Sequence, residues 1–251
     1  MTDKSPSTTE SRPILPVSLI LIVKDGERFI GEALTSVLQG TAWPNEILVI
    51  DGDSQDRTVE IARSFDRVRV LSQPNKGIPN AYNFGIKAAK HDLIAFISHD
   101  DVWAPTKLAL QFRVMSEDPS LDYCVGRAEH FVERGQQPPK NMRPEFLDGP
   151  VVAYIMETLM VRKSLFDRIG LFDPSLAVGE DTDWFARARD AQVEHRCLDD
   201  VLVRKRVHGS NSSMTHRNVN QFLLRTLRKS VDRKRSATAQ GPGEKTSAAP
   251  E

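Results

Sequence analysis

Two short acidic stretches, Val49-Ile50-Asp51-Gly52-Asp53-Ser54 and Phe96-Ile97-Ser98-His99-Asp100-Asp101, decide the fold of this chain. Each contains or follows an apolar run, 47–50 or 93–97, of the kind that forms a strand buried on both faces of an α/β sheet. Because open α/β sheets bind ligands beyond the carboxyl ends of their strands, the two acidic clusters are expected to meet at one edge. At that edge they can hold a nucleotide and a hard divalent cation.

A third acidic stretch, Gly179-Glu180-Asp181-Thr182-Asp183-Trp184, opens a predicted helix much later in the chain and can supply a general base. The three stretches together favour a metal-dependent transferase that acts on a nucleotide-activated substrate. Acids at a helix start are also favoured by the helix dipole alone, which is the structural alternative. Trp184 is expected either to form a wall for the acceptor or to pack in the core.

The pattern around these stretches predicts an α/β domain with a Rossmann-like, mostly parallel central sheet flanked by helices. Apolar runs and segments of helical periodicity alternate from Val17 to Ile97, as in βαβ units. Beyond Asp101 the alternation is less regular, and strands are predicted at 194–198 and 202–207. The expected layout is a leader at 1–13, a domain at 14–216 made of a nucleotide-binding half at 14–103 and an acceptor half at 104–216, a helix at 217–235, and a tail at 236–251. The leader and the tail are expected to be disordered because they have few apolar residues and no periodicity.

Composition excludes several classes of protein. The 251 residues carry a formal net charge of zero, so the chain has no global basic field for nucleic acid. No apolar run approaches the roughly 18–20 residues that span a bilayer, and the polar start predicts no signal peptide. A cytoplasmic location is therefore expected. Cys124 and Cys197 both lie in predicted strands and are expected to be buried thiols.

The predicted C-terminal helix, 217–235, is basic and amphipathic. Its apolar stripe and its cations are Val219, Leu223, Leu227, Val231 and Arg217, Arg225, Arg228, Lys229, Arg233, Lys234, Arg235, against the single acid Asp232. Such a helix can lie on an anionic membrane, here at the inner face, or it can pack on the domain with a solvated basic face. The sequence leaves both readings open.

The order and spacing of these segments resemble the inverting family 2 glycosyltransferases, which have the GT-A fold. Val17-Ser18-Leu19-Ile20-Leu21 is similar to the family's opening strand, and 50–58 resembles its Asp-Gly-Gly-Ser-x-Asp-x-Thr nucleotide segment. Residues 77–86 resemble the segment beneath the pyrophosphate, and Ser98-His99-Asp100-Asp101 stands in the place of the DxD motif. Gly179-Glu180-Asp181 resembles the family's ED motif, and His208-Gly209-Ser210-Asn211 resembles a later metal-binding segment. The match covers most of the chain, from Val17 to Ser213.

The resemblance implies a role for each matching position. Asp181 is the implied base, with Glu180 beside it, and Mn²⁺ or Mg²⁺ is implied at Asp100 and His208. The implied donor-binding positions are Val23, Asp25, Asp51, Asp53, Lys76, Asn83, Ser98, His99 and Asp100. The implied donor is a nucleotide sugar, with UDP preferred over GDP and dTDP. The acceptor is a hydroxyl of a saccharide, of a lipid-linked molecule or of another compound, and the pathway is polysaccharide or glycoconjugate synthesis.

Three positions depart from the family's usual pattern. Lys24 stands where a stacking Tyr is usual, Gly52 replaces the second acid of the commoner Asp-Asp-Gly-Ser form, and Ser98 replaces the first acid of Asp-x-Asp-Asp. Two other functions fit acids beside a nucleotide-binding sheet. One is a nucleotidyltransferase, which would favour a Gly-rich basic loop near the first strand. The other is a non-catalytic nucleotide-sugar-binding module, which should have lost Asp100 or Asp181.

Overall fold

The computed structural model describes residues 12–140, 142–209, 211 and 219–239. Most of the predicted leader and tail, and the start of the predicted basic helix, lie outside these residues. Within them, the strands are numbered in chain order and form one mixed sheet. Its order is β3 (Val68–Ser72), β2 (Trp43–Asp51), β1 (Ile14–Val23), β4 (Leu93–Ser98), β8 (Met160–Arg162), β6 (Tyr123–Phe131), β9 (His195–Arg206) and β5 (Val102–Trp103), and β7 (Val151–Ala153) also pairs with β6. The sheet therefore joins both predicted halves of the chain in one unit.

The first half of the sheet is parallel, as expected. Its strands are β1 (Ile14–Val23), β2 (Trp43–Asp51), β3 (Val68–Ser72) and β4 (Leu93–Ser98), with helices α1 (Ile30–Leu38), α2 (Thr58–Arg63) and α3 (Ile78–Ala88) between them. Side chains on both faces of β1, β2 and β4 are buried, because helices cover the sheet on both sides. The carboxyl ends of β1, β2 and β4 therefore lie side by side.

The second half of the sheet is mixed. It contains β5 (Val102–Trp103), β6 (Tyr123–Phe131), β7 (Val151–Ala153), β8 (Met160–Arg162) and β9 (His195–Arg206), with helices α4 (Lys107–Glu117), α5 (Ser164–Ile169), α6 (Glu180–Asp190) and α7 (Val219–Ala239). Strand β8 runs antiparallel to β4 and β6, while β9 runs parallel to β6. This arrangement carries the start of α6 and the end of β9 to the edge where β4 ends.

The two strands predicted at 194–198 and 202–207 form the single strand β9. Its pairing with β6 shifts register between Val125 and Arg127, which face Cys197 and Val201. The extra residues of β9 form a bulge, so Asp199 turns outward and pairs with Arg127 at 3.0 Å. The acidic pair in the middle of the segment therefore marks a bulge and does not end the strand.

Two predictions about buried side chains are settled by the packing. Trp184 has no exposed surface and packs against Phe166 and Phe172, so it belongs to the core and forms no acceptor wall. Cys124 is buried as expected, but Cys197 is exposed, as are His195 and Arg196 before it on β9.

Helix α7 extends to Ala239, beyond the predicted end at residue 235, and it packs on the domain through polar side chains. Lys229 Nζ lies 2.6 Å from Asp173 Oδ2, and Ser230 Oγ donates to Asp190 Oδ1 at 2.9 Å. Arg233 Nε donates to Asp190 Oδ2 at 3.0 Å. In the described residues, no helix is both long enough and apolar enough to cross a bilayer.

Candidate active site

A cavity of about 770 Å³ opens at the carboxyl ends of the parallel strands. Both halves of the chain line it. The predicted site residues among its lining are Val23, Lys76, Ser98, His99, Asp100, Glu180 and Asp181. The fold therefore brings the DxD-like segment and the predicted base to one space.

The two neighbouring acids at the end of β4 have different surroundings. Asp100 lines the cavity, and its Oδ2 accepts hydrogen bonds from His208 Nε2 at 3.0 Å and Asn211 Nδ2 at 3.1 Å. Asp101 is buried, and its carboxylate is bound by the backbone N–H of Arg206 at 2.8 Å and by Lys205 Nζ at 2.9 Å. Asp100 thus faces the ligand space, and Asp101 fixes the end of β9 beside it.

Asp100 is ionised at neutral pH. Burial alone would raise its pKa, but the hydrogen bond from His208 and the positive charges nearby hold the pKa below its ordinary value. His99, on the other side of Asp100, has a lowered pKa, chiefly because it is buried. A Cβ on Gly26 would lie 2.6 Å from His99 Cδ2, so the loop after β1 can rest on this ring only with glycine there.

Asp100 and His208 fit a divalent cation. An oxygen and a nitrogen 3.0 Å apart are separated by about 90° when seen from an ion about 2.1 Å from each, which is the angle of an octahedral edge. Within the described residues, no group of three or more His, Cys, Asp or Glu side chains could hold a metal. A cation here would therefore share its coordination with phosphate oxygens and water, as Mg²⁺ commonly does.

Glu157, which the sequence reasoning missed, places a carboxylate beside Ser98. Ser98 Oγ donates to Glu157 Oε1, and Lys205 Nζ lies 3.4 Å from the same oxygen. Ser98 replaces the first acid of the usual motif, and an acid from the other half of the chain stands against it. A signal was available, since Glu157 is the one charged residue in the otherwise largely apolar stretch 151–161.

Arg206 is a second residue that the sequence reasoning missed, and it joins the halves of the chain. Its guanidinium is buried between the rings of Phe29 and Phe131, 4.7 Å from each centroid. It pairs with Glu32 at 2.5 Å and with Glu133, and Nε donates to the backbone carbonyl of Asp100 at 2.9 Å. These contacts of Arg206 fix the backbone of Asp100, the candidate metal ligand.

The predicted base lies at the start of α6. Gly179 precedes the helix with a φ of 78°, a left-handed conformation that favours glycine, and both Glu180 and Asp181 are half-buried at the cavity. Burial raises the pKa of Asp181; the N–H of Thr182 opposes this rise and the charge of Glu157 adds to it. Burial and the neighbouring Asp181 raise the pKa of Glu180 to about 7.

The acids predicted to bind the nucleotide mostly accept hydrogen bonds from residues of the neighbouring loop. Asp25 and Asp53 have φ angles of 50° and 67°, and both carboxylates accept hydrogen bonds from Gln55, at 2.8 and 3.2 Å. Asp51 Oδ2 accepts from the N–H of Ser54 at 3.3 Å, whereas Oδ1 is buried with no hydrogen-bond partner among the described residues. Asp51 lies outside the cavity lining but next to Gly52, which lines it, so this buried, unpartnered oxygen is the strongest candidate for contact with a ligand at this end.

Two further positions at this end differ from a simple family pattern. A Cβ on Gly52 would lie 3.3 Å from both Lys24 Cβ and Val23 O, so the commoner acid at position 52 would crowd this loop. Asn83 lies outside the cavity lining, and its amide bonds the backbone of Phe172 at both ends, at 2.8 and 2.9 Å. The Asn83 side chain consequently has no free end for a phosphate.

The sheet order and the acids at its carboxyl edge define the GT-A type of glycosyltransferase fold. The chain belongs to glycosyl transferase family 2, whose family model matches residues 18–173, more than half of the chain. It is 31% identical over 214 residues to an uncharacterized glycosyltransferase of Rickettsia typhi, covering 79% of this chain and 66% of that protein. The chain thus spans slightly less than two thirds of that relative.

Solved structures show the same fold at low sequence identity. S. aureus TarS 1–349 in complex with UDP-GlcNAc matches with a TM-score of 0.68 and 17% identity, covering 86% of this chain and 66% of that one. The mannosyltransferase PcManGT of Pyrobaculum calidifontis, in complex with GDP-Man and Mn²⁺, matches with a TM-score of 0.66 and 17% identity, covering 86% and 64%. The family membership removes the nucleotidyltransferase alternative.

Proposed function

We propose that this chain is an inverting, metal-dependent hexosyltransferase that moves a sugar from a UDP-sugar to an acceptor hydroxyl in polysaccharide or glycoconjugate synthesis. The observation that carries the proposal is that Asp100 and Asp181 line one cavity although they come from different halves of the chain. A donor with its diphosphate at Asp100 would present its sugar toward Asp181. The presence of both acids also argues against a non-catalytic binding module.

Asp181 acts as the general base in this proposal. Its carboxylate removes the proton from the acceptor hydroxyl as that oxygen attacks the anomeric carbon. Burial raises the pKa of Asp181, which makes its carboxylate a stronger base than that of an exposed aspartate. Glu180 stands next to it and positions the acceptor. Because no side chain of the protein forms a bond to the sugar, a single displacement inverts the anomeric configuration.

Asp100 and His208 would hold the cation beside the diphosphate. When bound, Mn²⁺ or Mg²⁺ neutralises the charge that develops on the leaving diphosphate. Lys76 also lines the cavity and carries a positive charge toward the donor's phosphates. Lys205 is ion-paired with Asp101 and Glu157, so it fixes the positions of these two acids and does not neutralise the leaving diphosphate.

Asp51 would recognise the donor base. Its Oδ1 is buried and has no hydrogen-bond partner among the described residues, so an N–H of the base, such as N3–H of uracil, would satisfy it. Gly52, Gln73 and Lys24 line the cavity next to this residue. Lys24 would cover the base with its aliphatic stem in place of the usual ring.

We also propose peripheral membrane contact through α7. At about 100° per residue, Leu224, Leu227 and Val231 share one side of the helix, and the buried Thr226 and Ser230 lie on another. The three apolar side chains are 55%, 57% and 47% exposed. Three exposed arginines lie along one edge of this apolar side, namely Arg225, Arg228 and Arg235. An anionic bilayer surface would bury the apolar stripe and pair with these cations.

A panel of nucleotide sugars tests the proposed reaction, with release of the nucleoside diphosphate as the readout in the presence of Mn²⁺. Wild-type protein should turn over a UDP-sugar in preference to GDP and dTDP donors. Asp181→Asn keeps the shape of the side chain but removes its basicity, so turnover should fall by about 10²- to 10⁴-fold while donor binding persists. Asp167→Asn, at an exposed acid on α5, is the matched control. Near-normal turnover by Asp181→Asn, or a retained anomeric configuration in the product, would remove Asp181 as the base.

A further inference from the structure

The mouth of the catalytic cavity carries exposed apolar side chains. In the described part of the chain, eight large apolar side chains are strongly exposed, and three of them, Phe146, Val152 and Tyr154, line this cavity with exposures of 39%, 46% and 42%. Three others are on α7, as described above. Exposed apolar surface is therefore concentrated at the cavity mouth and on one helix, which marks both as interaction surfaces.

Phe146, Val152 and Tyr154 form the rim of the cavity, and neighbouring side chains hold its two aromatic residues in place. Tyr154 packs edge-on against Phe185 of α6 at 5.4 Å, and its hydroxyl lies 3.3 Å from His195 Nε2. Phe146 packs on His130 at 4.9 Å. Both rings keep one part against the protein and expose the rest.

Most of the rim cannot recognise sugar hydroxyls. Aromatic rings can stack on the C–H face of a sugar, but the neighbouring lining side chains Met142, Val151, Val152 and Ile155 offer no hydrogen bond. A free saccharide would leave these aliphatic groups exposed or would lose hydration against them. A hydrocarbon chain would bury them favourably, at about 25 cal/mol for each Å² removed from water.

We infer that the acceptor is a lipid-linked hydroxyl compound, whose hydrocarbon chain runs from the catalytic cavity over the rim of Phe146, Val152 and Tyr154. This inference rests on the proposed transferase function and specifies its acceptor class. A second surface supports it independently, because α7 presents an exposed apolar stripe with arginines along one edge, as a protein at a bilayer would. Helix α6 connects the three features, since it carries Asp181 in its first turn, places Phe185 beneath Tyr154, and binds α7 through Asp190.

A homologous series of alkyl β-glucosides, from ethyl to octyl and below their micellar concentrations, tests the inference by ligand-observed NMR titration. Affinity for wild-type protein should increase by about twofold per methylene, since a chain on an open rim buries about half of its surface and full burial would give about fourfold. Phe146→Ser and Val152→Ser should each reduce this increment. Ile14→Ser is the matched control, because Ile14 is 47% exposed and lies outside the cavity lining. Thermal melts of all variants confirm folding.

The outcomes separate the inference from the reaction on which it rests. An affinity that does not depend on chain length, or one that changes equally in Ile14→Ser and Val152→Ser, would overturn the lipid-linked acceptor. If donor turnover still depends on Asp181 in the same samples, the transferase function stands and the acceptor is a free saccharide or another polar compound. If turnover is indifferent to Asp181→Asn, the proposed function itself fails, whatever the alkyl chains do.

Discussion

Replacing Lys205 with methionine should destabilise the protein by about 3 kcal/mol at about pH 8. The ammonium lies 2.9 Å from Asp101 and 3.4 Å from Glu157, and the Asp101 side chain has no exposed surface. Methionine fills similar space but leaves two acids without their cation. Breaking a fully buried pair costs about 3–5 kcal/mol, and the lower end applies because 26% of the Lys205 side chain reaches solvent.

The cost of this substitution should increase with pH. Burial raises the pKa of Asp101 to about 7, although Lys205 lowers it. Without the ammonium this pKa rises further, so the folded variant holds a proton above pH 7 that the unfolded chain, with a pKa of about 3.9, has released. Because the folded state then binds more protons, the variant loses up to about 1.4 kcal/mol of stability for each unit of rising pH. The difference from wild type should therefore grow between about pH 7 and the raised pKa.

Urea unfolding followed by tryptophan fluorescence measures this effect at several pH values. Lys87→Met, at an exposed lysine on α3, is the matched control and should change stability by less than about 0.5 kcal/mol. The double variant Lys205→Met, Asp101→Asn should recover part of the loss, since one of the two unpaired carboxylates is gone. A cost below about 1 kcal/mol, or one that does not change with pH, would refute the argument that Lys205 neutralises buried acids.

The remaining predictions concern the metal, the base and the membrane. Chelation should abolish transfer, and Mn²⁺ or Mg²⁺ should restore it. Asp100→Ala should lower turnover by about 10²-fold or more, whereas His208→Ala should mainly raise the Mn²⁺ concentration that transfer requires. Full activity in excess chelator would contradict the metal dependence. Transfer should fall as pH drops through a pKa above the ordinary 3.9 or so of aspartate, because only ionised Asp181 accepts a proton and burial raises its pKa; a pH–rate profile flat down to about pH 4 would exclude it. Leu227→Glu on α7 should reduce cosedimentation with phosphatidylglycerol vesicles at low salt by about tenfold or more, and wild-type protein that ignores such vesicles would make α7 only a packing element.

The parallel half of the fold could be predicted because its signal is local. The runs 47–50 and 93–97 are continuously apolar, which is typical of strands covered on both faces, and the structure buries them in β2 and β4. The short strands β5 and β7 could not be predicted, because two or three residues carry no periodicity and become strands only by pairing with β9 and β6. Pairing likewise joined two predicted strands into β9 through a bulge.

Only those residues of the candidate site that belong to a recognisable motif could be predicted from the sequence. Asp100 and Asp181 could be found from short segments with a recognisable order, and both line the cavity. Glu157, Lys205 and Arg206 have no such segment, because their roles depend on partners about 50 to 170 residues away in the chain. Burial with a specific partner is a tertiary property, and the sequence marks it only weakly, as with a single acid in a mostly apolar stretch.

The contact between Ser98 and Glu157 limits how this protein could be recombined with its relatives. A chimera that took residues 14–103 from a protein with the usual Asp-x-Asp-Asp motif would bring an aspartate to position 98, directly against Glu157. Lys205, which already pairs with Asp101 and Glu157, would then face a third carboxylate with its single charge. The residues at positions 98 and 157 must therefore match each other. A chimera with a crossover between the two halves should be stable only when both positions are exchanged together.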